Sequence, residues 1–72
     1  MNNVTFESVE AFVGKCLELA KAMPDLVTRF ESQAFGATVF ACDIVWQNDP
    51  KLERSLLEHW DNVWRPAFEG LY

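Results

Sequence analysis

A chain of 72 residues makes a single domain, and its eleven acids against six bases leave a formal charge of −5. Such a surface repels phosphate, and the bases (Lys15, Lys21, Arg29, Lys51, Arg54 and Arg65) are too scattered to form a local basic patch, which excludes ordinary DNA or RNA binding. The acids are dispersed as well, so the continuous acidic face of a nucleic-acid mimic is missing.

The start, Met1-Asn2-Asn3-Val4-Thr5, has neither a basic stretch nor an apolar core, so no signal peptide is expected. No run of about 18 uncharged apolar residues occurs, so no membrane span is expected either. Cytoplasmic residence is the resulting expectation. Cys16 and Cys42 each lie inside an apolar, helix-like run and read as buried thiols of a reducing compartment rather than a disulfide.

The first predicted helix covers about residues 5–23. Thr5 is its expected N-cap, and Glu7 and Glu10 suit the positive end of the helix dipole. Phe6, Val9, Val13, Cys16, Leu17, Ala20 and Met23 recur at helical spacing, with Phe12 and Leu19 widening the stripe. Gly14 interrupts the wet face, at a cost of about 1 kcal/mol relative to alanine.

Pro24-Asp25 opens the second predicted helix, about residues 24–47. Its second half has two apolar faces. Ala34, Ala37, Ala41, Ile44 and Val45 form one; Phe35, Val39, Cys42 and Trp46 form the other. Their centres are roughly 140° apart at about 100° per residue. A helix apolar on two sides is expected to be sandwiched, and the alanine row lets a neighbour approach closely. The competing strand over Thr38–Cys42, after Gly36, lacks both alternation and a partner strand.

Asn48-Asp49-Pro50 is a strong helix start, with a capping side chain before a proline at the first helical position. The third predicted helix spans about residues 50–65. Leu52, Leu56, Trp60, Val63 and Ala67 form its stripe, extended by Leu57, Trp64, Phe68 and Leu71. Pro66 lacks an amide donor and disfavours a helical Arg65, so the helix is expected to kink or stop near Arg65, with 66–72 as a short turn folded back. The fold class expected is all-α: a three-helix bundle, or helical hairpin plus C-terminal helix, occupying 1–72 and dimeric.

Three helices of this size offer about 26 inward positions, whereas half of the 72 residues are hydrophobic, ten of them aromatic. Surplus alanine would mean little, but here the surplus consists of large rings on the middle and last helices. Phe35, Val39, Trp46, Leu57, Trp64, Phe68 and Tyr72 are therefore the expected protein-binding residues, contacting a second chain. The expected oligomer is a homodimer made by the middle and last helices.

No catalytic, cofactor-binding or metal-ligating set emerges. His59 reads as a half-exposed helix residue rather than a base or pH switch. Cys16, Cys42 and His59 lack the tight ligand pairs of structural zinc sites, and no oxyanion-hole signal accompanies a Cys–His pair. Gly14, Gly36 and Gly70 are isolated, so no phosphate loop exists. Asp43, near Arg29, Ser32, Gly36 and Gln47, reads as solvent-facing or paired to a base.

The expected function is that of a small acidic non-enzymatic binding module. It would be an inhibitor or adaptor acting on a host protein, a design common among phage and mobile-element inhibitors. Aromatic anchors in an acidic rim favour a basic target, such as a nucleic-acid-handling protein. The alternative is a helical small-molecule or lipid binder with an aromatic-lined pocket.

Overall fold

The computed structural model describes residues 4–72, which are mostly helical, with no strand among them. The expectation for Met1–Asn3 lies outside the described residues. Helix α1 is Phe6–Ala22, α2 is Val27–Val45, and α3 is Pro50–His59. A π-helical turn, Trp60–Trp64, joins α3 without a break to α4, Arg65–Glu69. Residues 36–45 lie within α2, so the strand alternative is set aside.

Local chemistry explains the boundaries. Thr5 caps α1: its Oγ1 accepts from the Ser8 amide at 3.1 Å, and its own amide donates to Ser8 Oγ at 3.0 Å. Two free donors at the helix start are thereby satisfied reciprocally. Asp49 caps α3 by accepting from the Leu52 amide at 3.0 Å, with Pro50 at the first helical position. The start of α2 departs from expectation. Pro24–Leu26 form one 3₁₀ turn and the α-helix begins only at Val27, because neither Met23 nor Leu26 supplies a side-chain cap. A short i→i+3 turn satisfies such amides within the backbone.

The third rod corrects the expectation of a stop near Arg65. Pro66 cannot donate to the carbonyl four residues back, and its ring crowds that carbonyl. Instead of ending, the helix widens: the Arg65 amide bonds the Trp60 carbonyl five residues earlier, and α4 continues through Pro66. The widening also decides which residues face inward. In a regular helix, steps of four residues drift by about 40°. A π turn takes in one extra residue and reverses that drift. Trp60, Trp64 and Phe68 thus stay on one line and are all buried, at 4%, 4% and 0% exposure, while Val63 and Ala67 turn outward.

The core is contiguous. Val9, Val13, Cys16 and Ala20 of α1 pack with Val27, Phe30, Ala34 and Ala41 of α2, and Leu56, Trp60, Trp64 and Phe68 close it from the third rod. The alanine row lets α1 and α2 form the most extensive helix contact. Thr38, fully buried, donates its hydroxyl to the Ala34 carbonyl at 2.9 Å, so no polar atom is stranded there. Cys16 and Cys42 are free and buried, and burial pushes both thiols above their ordinary value. The Cα frame measures 38 × 23 × 15 Å. One dimension is scarcely two helices thick, and a slab of that shape has few places to hide large rings. No described helix is long and apolar enough to cross a membrane.

Candidate protein-binding surface

α2 runs antiparallel to the third rod. The Phe35 ring lies 5.1 Å from Trp60, and seven residues later Cys42 Sγ donates to the Glu53 carbonyl at 3.8 Å. As α2 advances from 35 to 42, its neighbour retreats from 60 to 53. Val39 lies between Phe35 and Cys42 on α2, and Leu57 between Glu53 and Trp60 on α3. Phe35, Val39 and Leu57 therefore share one margin of the seam, and Trp46, the C-cap of α2, continues it.

The seven expected contact residues divide into three groups. Phe35, Trp46 and Leu57 are 45%, 52% and 43% exposed, and Val39 is half-buried beside them. Trp64 and Phe68 are core residues. Trp64 stacks on Phe6 at 5.7 Å, and Phe68 lies 6.1 Å from Trp60, so neither has surface to offer a partner. Regular helical spacing puts Val63 and Ala67 inside and leaves these two rings at the margin, a geometry the π turn replaces. Tyr72 is exposed, but its hydroxyl is engaged: it donates to the Glu31 carboxylate and accepts from Thr28 Oγ1 at 3.3 Å. That bond to Glu31 holds the phenol above its ordinary value and ties residue 72 to α2.

Sequence reasoning missed six large exposed residues: Phe40, the most exposed at 68%, Val63, Phe12, Met23, Leu26 and Ile44. Phe40 falls between the two apolar faces of α2. With the core centred on Ala34, Thr38, Ala41 and Val45, the outward half of α2 presents Phe35, Val39, Phe40, Ile44 and Trp46 around Gly36, Asp43 and Gln47. A signal was available. Residues 32–48 hold a single charged residue, Asp43, where a chain that is 24% charged would be expected to have about four. Asp43 is exposed and makes no ion pair among the described residues.

Elsewhere the surface is less promising for ligands. An open groove of about 490 Å³ lies between Phe6 and α3, but Ser55, Glu58 and Asn62 share its lining, and His59 is held edge-on by Phe6 at 5.0 Å and Trp64 at 4.6 Å. A smaller groove of about 250 Å³ lies over Phe35 and Trp60, between Glu31 and Arg65. Arg65 is occupied by Asp61 at 2.9 Å. Among the described residues, no three histidines, cysteines or carboxylates gather to hold a metal. In comparison with known proteins, the chain matches no family model, no curated protein and no solved structure.

Proposed function

We propose that this chain is a non-enzymatic protein-binding module, an inhibitor or adaptor, whose contact surface is the outward face of α2 with the adjoining margin of α3. One observation carries the reading: Phe35, Phe40, Ile44, Trp46 and Leu57 remain 36–68% exposed while a complete core exists without them. Exposed aromatic rings of this kind are what protein interfaces use as anchors. The face carries one charge, Asp43, and the rest of the net negative charge lies elsewhere on the chain. The net charge favours a basic partner, with faster encounter at low salt.

The test is affinity capture from the native host, followed by binding of the purified candidate to wild type and to Trp46→Ala and Leu57→Asp variants. The expected result is stoichiometric binding to wild type that drops at least about tenfold in each variant with helicity unchanged, a tenfold loss being about 1.4 kcal/mol. Binding that ignores both substitutions would reject this surface.

A further inference from the structure

The flank of the α1–α2 pair turned away from the third rod forms a second lane. We infer that it docks an amphipathic helix of a protein partner, whose apolar stripe rests on Phe12, Leu19, Ala37, Phe40 and Ile44 and whose acidic shoulders meet Lys15 and Arg29. This occupant presupposes the reading of the chain as a protein-binding module and adds the chemistry of one segment of the partner.

The contacts of the third rod locate the lane. The short turn after Ala22 sends α2 back along α1. Phe6 of α1 meets His59 and Trp64, and Phe35 of α2 meets Trp60, so the third rod lies against one flank of the pair. Val9, Val13, Ala34 and Ala41 mark the line along which α1 and α2 face each other. Helical spacing then puts Phe12, Lys15 and Leu19 across that line from Phe6, and Gln33, Ala37, Phe40 and Ile44 across it from Phe35. Phe12 is 45% exposed and Phe40 68%, with Leu19 and Ala37 half-buried on the same flank.

Shape suits a helix. Two helices packed about 8–10 Å apart leave between their ridges a groove that another helix fills, as the third rod does on the other side. With 17 residues in α1 and 19 in α2, the lane is about 25 Å long at about 1.5 Å per residue and holds about four turns. Amphipathic helices lie in such grooves on anchors three, four and seven residues apart.

Charge selects which helix. The chain has eleven acids, yet by helical spacing none falls on this flank; Glu18 and Asp43 come nearest, on the outer edges of the two helices. Lys15 and Arg29 are exposed, and neither is ion-paired among the described residues. The flank is therefore locally cationic, although the four other bases and eleven acids leave −7 on the rest of the molecule. Two copies set face to face here would oppose cation to cation. An anionic bilayer would gain about 1 kcal/mol from each of the two bases. Its field reaches about 8–10 Å, however, and so also meets the acids on the edges of a slab only 15 Å thick. A helix with acidic shoulders brings negative charge only where the bases stand. The net charge still draws a basic partner at long range, and the lane selects acidic residues at the point of contact.

A fluorescein-labelled peptide of about 16 residues, long enough to fill the lane as a helix, with a leucine stripe flanked by glutamates on both sides, tests this by anisotropy on the full chain. Saturable binding to wild type is expected at physiological salt. It should fall at least about tenfold in Lys15→Glu/Arg29→Glu and in Phe12→Ser, with helicity unchanged by circular dichroism because all three side chains are exposed. A companion peptide with lysine in place of each glutamate should bind the doubly reversed variant more tightly than wild type. No saturable binding of the glutamate peptide up to about millimolar concentration overturns the inference. Equal binding to wild type and the doubly reversed variant also overturns it. Cosedimentation with vesicles of equal parts phosphatidylcholine and phosphatidylserine that needs Lys15 and Arg29, while the peptide stays unbound, assigns the lane to a bilayer instead. Trp46→Ala and Leu57→Asp separate the two proposals. A peptide that still binds both variants, alongside a captured host protein that ignores both substitutions, keeps the lane and rejects the α2–α3 surface. A captured protein sensitive to both, with no peptide binding, does the reverse.

Discussion

Replacing Trp64 with alanine distinguishes a core tryptophan from an interface tryptophan. Trp64 is 4% exposed, stacks on Phe6 at 5.7 Å and meets His59 edge-on at 4.6 Å. Its loss removes about 200 Å² or more of buried apolar surface, which at about 25 cal/mol per Å² amounts to about 5 kcal/mol, less what alanine recovers. Measured tryptophan-to-alanine changes in cores cost about 3–5 kcal/mol. A domain of this length has a total stability of about 4–11 kcal/mol, so the substitution takes about a quarter of it at the least. Each kcal/mol corresponds to about 4–8 °C for a domain of this size. The melting temperature followed by circular dichroism should therefore fall by at least about 12 °C, with the N-terminal turn of α1 loosening as Phe6 loses its stacking partner. Phe40→Ala, at 68% exposure, should change stability by no more than about 0.5 kcal/mol. If Trp64→Ala melts within about 4 °C of wild type and keeps its helicity, Trp64 is not buried by α1 and the packing of the third rod is wrong.

Other substitutions probe single links in the same chain of reasoning. Gly14→Ala should stabilise by about 0.5–1 kcal/mol, because an added Cβ meets nothing within 4 Å and a mid-helix glycine is costly; an unchanged or lower melting temperature would contradict this. Asp49→Ala removes the acceptor for the Leu52 amide and should cost about 1 kcal/mol in urea denaturation, whereas a free-energy change near zero would mean the cap is redundant. Tyr72 is the sole tyrosine, so its ionisation near 295 nm is a clean probe. Its phenol, held protonated by the bond to Glu31, has a raised folded value. The folded state then binds the extra proton. The stabilising contribution is complete below about pH 10 and is lost as pH rises through the raised folded value. The native midpoint should exceed that of the denatured chain, and Glu31→Gln should bring the two closer together; coincident midpoints in wild type would show that the tether is not formed.

Much of the fold was legible in the residues because the relevant forces are local. Asp49-Pro50 and Thr5 mark helix starts through a side-chain acceptor a few atoms from the amides it satisfies. The spacing of Val9, Val13, Cys16 and Ala20 identifies a buried face because helical periodicity depends only on the backbone. The apolar surplus, and with it the expectation of a contact surface, is likewise a property of composition set against chain length.

Tertiary structure decided which rings make up that surplus. Trp64 and Phe68 went inside, and Val63 and Ala67 outside, because the chain absorbed Pro66 by widening one turn, and a single extra residue rotates everything beyond it. Phe40 stands out because Ala34, Thr38 and Ala41 on the opposite face of α2 offer the closest approach to the neighbouring helices, and a helix can bury only the side its neighbours reach. The sequence could count the hydrophobic side chains that one domain must hide. Only the packing of the three rods, through the rotation each adopts against the next, determined which ones reach solvent.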